Sequence, residues 1–241
     1  MLRPQHANTY DRYAAFLFNA GRADEAAANF LRSTQLVATP RGFNNLGGAY
    51  QALGRYDAAR EAYEKSIALG PNSDAYGNLG LLHYYNGNYA EATRALEQSV
   101  ALARGSYPAW LALGDAYRWS GSKTKSVGAY ENTVKAARDV IAINPRDAVA
   151  HAQCANAMAK LGRSSEAAAE IDRALKLDPN SQNALYSAAV VALLRGTNDV
   201  ALGWLQRSVA AGYPLLDLQH DPEFKSIRDD PAFPRAVAGK Q

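Results

Sequence analysis

A glycine recurs along the chain at nearly constant intervals, and this spacing constrains the fold more than any other feature. Successive intervals are 33, 33, 34, 41 and 34 residues. Each glycine follows a segment with helical apolar periodicity and precedes an alanine-rich segment, a pattern typical of a helix, a tight turn and a second helix. The recurring residues are Gly21, Gly54, Gly87, Gly121, Gly162 and Gly196. The sequence therefore predicts six helical hairpins.

Side chains of fixed size recur around these glycines. Seven residues earlier the side chain is always small, as at Gly47, Gly80 and Gly114, and nine residues later it is large, as at Tyr63 and Leu96. Two helices approach to about 8–10 Å only where one offers a small residue to the other. We interpret these small residues as packing positions and not as parts of a functional loop.

The composition fits closely packed helices and excludes several classes of function. The chain is 48% hydrophobic, and its 26 basic and 23 acidic residues are interleaved, so no basic face for nucleic acid is indicated. The single cysteine, Cys154, allows no intrachain disulfide, and its apolar neighbours predict burial. No segment resembles a signal peptide or a membrane helix. We expect no membrane partner and a cytoplasmic location.

The repeat pattern of a bulky residue, Leu-Gly, Tyr, Gly, Ala, an aromatic residue and Pro resembles the tetratricopeptide repeat. The best copies run from Phe43 to Pro71 and from Tyr76 to Leu102. This resemblance implies an all-α fold, a right-handed α-solenoid of about six hairpins over residues 1–213, with capping helices over 214–241. The predicted hairpins cover about residues 7–39, 40–72, 73–106, 107–147, 148–181 and 182–213.

One interval departs from the repeat length. The distance from Gly121 to Gly162 is seven residues longer than the others, and we assign the surplus to a helix from Lys123 to Ile143. Seven residues form two helical turns, about 10 Å, and nearly preserve the phase of the buried face. The sequence predicts a lengthened helix whose apolar stripe is not rotated.

The tail contains two copies of an Asp-Pro-x-Phe pattern, at 221–224 and 230–233. Asp is a favoured N-cap and Pro a favoured first helical residue, so each copy predicts a short helix. Their apolar residues are expected to cover the open end of the array, and these residues are Phe224, Ile227, Phe233 and Val237. The tail resembles the ends of bacterial repeat regions that follow a serine/threonine kinase, a cyclase-like domain or a winged-helix regulator. This resemblance implies a sensory or regulatory module as an alternative function.

The family resemblance also implies where a partner binds, because the first helix of each hairpin lines the concave surface in this family. Nine residues before the glycine stand Asn45 and Asn78, with Gln153 as a substitute. An amide both donates and accepts hydrogen bonds, so a ladder of asparagines can hold a peptide backbone. Here the ladder is broken, which favours a selective partner. The alternative is that asparagine is simply common at this position of the repeat.

A second group of residues on the first helices is mostly aromatic and charged, as the anchors of protein interfaces often are, with Asn156 beside them. We predict that these residues contact a partner, and they are Tyr84, Tyr85, Asp115, Arg118, Trp119 and Asn156. Two alternatives stay open: Tyr84 is structural and Trp119 packs on a neighbouring hairpin, or Asp115, Arg118, Asn156 and Lys160 pair among themselves.

The two-carboxylate clamp of chaperone-binding members of the family is not expected. Its cations are missing at the aligned positions, which hold Asn44, Gly48, Asn78, Pro108 and Ala112. The absence argues against recognition of chaperone C termini by that clamp.

No pattern for catalysis was found, and the four histidines lack the short spacing of a zinc pair. The acidic residues of the tail, such as Asp221 and Asp230, are better explained as helix caps than as metal ligands. We therefore predict no catalytic residue, no metal and no cofactor. The predicted function is a scaffold that binds a protein or peptide partner, and self-association into a homo-oligomer stays open.

Overall fold

The computed structural model describes residues 6–238 of the chain, which fold as an all-α solenoid without strands in that range. The chain divides into two compact units, residues 1–104 and 105–241. The first unit contains three helical hairpins, formed by α1 (Ala7–Asn19), α2 (Ala23–Leu36), α3 (Pro40–Ala52), α4 (Tyr56–Leu69), α5 (Ser73–Tyr85) and α6 (Tyr89–Leu102).

The second unit contains three further hairpins and the tail. The hairpins are formed by α7 (Tyr107–Trp119), α8 (Lys123–Ile143), α9 (Ala148–Lys160), α10 (Ser164–Leu177), α11 (Gln182–Leu194) and α12 (Asn198–Ala210). The tail consists of α13 (Leu215–His220), a 3-10 helix (Pro222–Ile227) and α14 (Phe233–Ala236). The predicted helical hairpins and the short helical cap are confirmed.

The recurring glycines end the first helix of every hairpin in the left-handed conformation. Gly21 has φ 75°, and the other five have φ between 70° and 83°. The next residue closes the turn, as where the Arg22 N–H donates to the Leu17 carbonyl at 2.9 Å. This bond, from the residue after the glycine back to the helix, is the Schellman motif. It favours glycine before that residue because a Cβ would be strained at a positive φ.

The small residues on the first helices pack against large rings of the second helices. A Cβ added at Gly47 would lie 2.5 Å from the Tyr63 ring, and one added at Gly114 would lie 2.5 Å from the Tyr130 ring. Tyr63 and Tyr130 are both almost completely buried. The interpretation of these glycines as packing positions is confirmed.

We expect Gly114→Ala to lower the free energy of unfolding by about 1–3 kcal/mol, because the Tyr130 ring has no room for the new methyl group. The matched control is Gly128→Ala on the exposed face of α8, where a Cβ meets nothing within 4 Å. That change should stabilise by about 0.5–1 kcal/mol through helix propensity. Urea denaturation of both variants measures the difference, and a Gly114→Ala protein as stable as the control would contradict this packing.

A serine on the second helix closes several hairpins, and sequence reasoning missed it. The Ser66 hydroxyl donates to the Pro40 carbonyl at 2.7 Å, and Ser99 donates to the Ser73 carbonyl at 2.8 Å. The same bond recurs from Ser33 to Ala7 and from Ser208 to Gln182. All four serines stand twelve residues after the recurring glycine, so the alignment contained the signal.

The long helix α8 begins and ends where the sequence predicts. Its buried stripe includes Tyr130, Val134 and Ala137, and Ile141 continues it in phase with partial burial. Ile143, at the end of the added turns, is 88% exposed.

Cys154 on α9 is fully buried, and burial raises the pKa of its thiol to about 11. The predicted stripe and the predicted core cysteine are confirmed.

The tail packs its aromatic residues into the core of the second unit. Phe224, Ile227, Phe233 and Val237 are all buried there, together with Leu205 of α12. The Asp221 side chain accepts a hydrogen bond from the Glu223 N–H, as the Asp-Pro pattern predicts. The second copy differs slightly, because Asp230 accepts from the Ala232 N–H but the helix itself begins only at Phe233.

Candidate functional site

The first unit contains a pocket lined mainly by residues of its three first helices. Hydrogen bonds hold three of its amides in place: Asn78 Nδ2 donates to Asn44 Oδ1 at 3.0 Å, and Asn45 Nδ2 donates to the Asp11 carboxylate at 3.3 Å. Apolar side chains complete the wall. We call this the asparagine pocket, and its lining residues are Ala15, Phe18, Asn19, Phe30, Asn44, Asn45, Gly48 and Asn78.

The asparagine pocket offers both kinds of hydrogen-bonding group next to apolar surface. An amide side chain has two N–H donors and a carbonyl acceptor, so Asn78 retains a donor and its acceptor after bonding Asn44. Gly48 lacks a side chain where a Cβ would meet only the Tyr63 hydroxyl, at 3.9 Å. This combination suits an extended peptide, whose backbone alternates donors and acceptors.

The second unit contains a buried cluster of four charged side chains. Lys160 Nζ of α9 lies 2.5 Å from Asp115 Oδ1 of α7 and 3.4 Å from Glu223 Oε1 of the tail. Arg118 Nη1 lies 2.9 Å from both Glu223 carboxylate oxygens. The Lys160 side chain is 0% exposed and that of Glu223 is 1% exposed. The tail therefore inserts an acid among charged residues of the first helices.

Two further side chains complete the cluster. The Trp119 indole Nε1 donates to Glu223 Oε1 at 3.4 Å, and the Arg118 guanidinium lies 5.7 Å from the centroid of the Trp119 ring. The Tyr130 hydroxyl donates to Asp115 Oδ1 at 2.7 Å. We call Arg118, Trp119 and Lys160, the three donors around the Glu223 carboxylate, the carboxylate pocket.

The charges of the carboxylate pocket stabilise each other against burial. Burial alone would raise the pKa of Glu223, but the charges of Lys160 and Arg118 outweigh it and hold that pKa below its usual value. Burial alone would lower the pKa of Lys160, but Asp115 and Glu223 outweigh it and raise that pKa. Glu223 and Lys160 are therefore both ionised at neutral pH.

Comparison with protein families decides the classification. One tetratricopeptide repeat model matches residues 38–105, and a second matches residues 78–140 and 155–214, which together exceed half of the chain. The chain belongs to the tetratricopeptide repeat family. Proteins of this family generally mediate protein–protein interactions, and the repeat is typically a scaffold without catalytic function.

Solved structures share the tetratricopeptide repeat fold at low identity. A chain of the APC/C hetero-tetramer Cut9–Hcn1 is 19% identical with a TM-score of 0.64, and the match covers 98% of this chain but 43% of that one. TTC0263 from Thermus thermophilus is 24% identical with a TM-score of 0.55, covering 77% and 98%. A protein from Parabacteroides merdae is 16% identical with a TM-score of 0.60, covering 92% and 85%. No curated protein matches the chain significantly.

The predicted site residues of this tetratricopeptide repeat protein fall into two separate groups. Asn45 and Asn78 line the asparagine pocket of the first unit. Tyr84 and Tyr85 belong to the same unit, where Tyr84 is buried and its ring contacts the ring of Tyr85 edge to face at 5.3 Å. Burial of Tyr84 agrees with its structural alternative, whereas Tyr85 is half-buried.

The remaining predicted residues lie in the second unit. Asp115, Arg118 and Trp119 contact the tail cluster, so the alternative that charged residues pair among themselves holds for Asp115 and Lys160. Asn156 is 1% exposed. Asn156 Oδ1 and Gln153 Oε1 are both buried and accept no hydrogen bond from the described residues. The pairing with Glu223 was missed, and the signal for it was a lone acid between the proline and the phenylalanine of the tail pattern.

Between residues 6 and 238, no helix is long and apolar enough to cross a membrane. Within that same range, no three His, Cys, Asp or Glu side chains lie together as metal ligands would.

Proposed function

We propose that this tetratricopeptide repeat protein is an interaction scaffold that holds an extended segment of a selected partner in the asparagine pocket. The observation that carries the proposal is the convergence of Asn45 and Asn78 on one pocket, although they come from different hairpins. Paired amides beside Phe18 and Phe30 match a peptide backbone with an apolar side chain. The half-buried Tyr85 is proposed as an additional anchor of the first unit.

The broken ladder supports a short and selective contact. Only the second and third hairpins carry asparagine nine residues before the glycine, while the first carries Arg12 and the fourth Ala112. Backbone hydrogen bonds alone do not discriminate between sequences, so selectivity comes from the side chains around them. The proposed ligand is therefore a segment of a few residues with an apolar side chain next to the amides.

Peptides selected on the intact protein from a random displayed library should bind more weakly after the double substitution Asn45→Ala and Asn78→Ala. Each lost amide hydrogen bond costs about 0.5–1.5 kcal/mol, so affinity should fall about 5- to 150-fold. Isothermal titration calorimetry measures the change. The control is Asn132→Ala, an exposed amide on the second helix α8. Selected peptides that bind the double variant and the control equally would refute the proposed pocket.

A further inference from the structure

The Asp-Pro-x-Phe segment at 221–224 is bound to the second unit in the way a peptide ligand is bound. Glu223 lies 105 residues from Arg118 and 104 from Trp119 along the chain, yet its carboxylate receives hydrogen bonds from both. Phe224 is fully buried, with its ring edge to face with the Tyr186 ring at 5.8 Å. The segment thus places an acid and an aromatic ring in adjacent sites.

Helix capping does not require this acid. Asp221 and Asp230 each accept a hydrogen bond from the backbone N–H two residues later, at 3.0 and 2.8 Å. Phe224 and Phe233 are both buried. The second copy achieves this with Ala232 where the first has Glu223, so the glutamate serves the carboxylate pocket and not the cap.

Stability does not explain the acid either. Both ions of a buried pair lose their hydration, so apolar residues of similar size generally stabilise a core at least as well as the pair does. Without Glu223, Lys160 keeps Asp115 as its counter-charge, but the cluster then has two cations and one anion. When the tail leaves, the carboxylate pocket therefore carries a net positive charge, which favours an anionic ligand.

Two buried acceptors on the same helix remain unsatisfied by the tail. Gln153, Asn156 and Lys160 lie on one face of α9, because residues three and four apart are neighbours on a helix. Gln153 Oε1 and Asn156 Oδ1 are buried without a donor from the described residues. Neither the tail nor any other described residue donates to these two acceptors, so they are open to a ligand that brings N–H groups to this face of α9.

We propose that the carboxylate pocket with Tyr186 is a peptide-binding site for an acidic residue followed by an aromatic residue, and that the tail segment 221–224 is its displaceable internal occupant. A partner segment with Glu-Phe chemistry binds by replacing the tail. Arg118 and Lys160 are not at the positions of the family's two-carboxylate clamp. The site deepens the proposed scaffold function and rests on it for the existence of a partner, but it lies in the other unit.

The test uses the full chain and a fluorescein-labelled peptide of residues 219–229, Gln-His-Asp-Pro-Glu-Phe-Lys-Ser-Ile-Arg-Asp. The tail competes with this peptide at a high effective concentration, so the wild type should bind it weakly. Glu223→Gln weakens the internal occupant by removing charge-assisted hydrogen bonds, and the peptide should then bind about tenfold more tightly. Fluorescence anisotropy measures both affinities.

Matched variants separate recognition from general loosening of the fold. Adding Arg118→Gln to Glu223→Gln, or replacing the peptide's Glu by Gln, should abolish the gain. Equal peptide affinity of the wild type and a folded Glu223→Gln protein would overturn the proposal, as would binding that is indifferent to Arg118. If Glu223→Gln does not fold, the test uses hydrogen exchange of the Phe224 and Ile227 backbone amides in the wild type. Excess peptide should accelerate this exchange. An unchanged exchange rate overturns the proposal.

The asparagine pocket provides a control for the proposed function. The double variant Asn45→Ala, Asn78→Ala should bind the 219–229 peptide as the wild type does. Suppose that Glu223→Gln does not increase the affinity for the 219–229 peptide, while the Asn45 and Asn78 substitutions still weaken binding of the selected peptides. That result refutes only the carboxylate pocket. The reverse pattern refutes only the asparagine pocket.

Discussion

Replacing Lys160 by methionine is expected to lower the free energy of unfolding by about 3–5 kcal/mol, the range for breaking a buried ion pair by removing one partner. The Lys160 side chain is fully buried between Asp115 and Glu223, and methionine has a similar length but no charge. Two carboxylates would then share a dry site with Arg118 alone. Urea denaturation followed by circular dichroism at pH 7 measures the loss.

Lys176→Met is the matched control, because Lys176 also contacts an acid at 2.6 Å, Asp172, but both side chains are more than 60% exposed. Exposed pairs of this kind contribute at most about 1 kcal/mol. If the two variants unfold at the same urea concentration, the cluster around Lys160 is not dry and the ion pair there is as weak as a surface pair.

The buried Asp221 should contribute a loss of stability as the pH rises toward 7. Burial, and then the charge of Glu223, raise the pKa of Asp221 to about 7 in the folded protein, against 3.8 for the ordinary residue. Hydrogen bonds from the Tyr186 hydroxyl and the Glu223 N–H, and the charge of Lys160, offset only part of this. The folded state binds the proton more tightly than the unfolded state, so this stability is present below about pH 4 and is lost up to about pH 7.

The variant Asp221→Asn isolates this effect because asparagine resembles the protonated acid at every pH. The wild type minus the variant should change by about 4 kcal/mol in unfolding free energy between pH 4 and pH 8, with the wild type losing stability. Chemical denaturation of both proteins at several pH values gives the difference, in which all other titrating groups cancel. A difference that stays flat over this range would show that Asp221 remains ionised in the fold.

The features that the sequence predicted well are those encoded within one hairpin. The glycine turn, the small residue facing a ring and the length of α8 all follow from residues within about 40 positions of each other. Their physical causes, a left-handed turn and steric fit, depend on residue type more than on distant context. Gly121, Gly114 and Ile143 could therefore be assigned before the fold was known.

The candidate sites were predicted less completely because they depend on contacts across the chain. The helical phase placed Asn45 and Asn78 on the first helices, but it could not reveal that Asn78 bonds Asn44 from the preceding hairpin. Burial of Asn156 depends on how neighbouring helices pack, and the pairing of Arg118 with Glu223 depends on how the tail folds back over 105 residues. Charge alone does not select one partner among 23 acidic residues.

The serine bonds that close the hairpins have a consequence for how repeat length can vary. The hydroxyl twelve residues after the glycine ties the two helices together in hairpins one, two, three and six. In hairpin four Thr133 bonds its own helix at Ala129, and in hairpin five Ala174 has no hydroxyl. The seven-residue insertion occurs in hairpin four, where this hydrogen bond between the two helices is missing. Engineered insertions should accordingly be tolerated best at the end of α8 or α10. They should be tolerated least at the end of a second helix whose serine bonds the first helix.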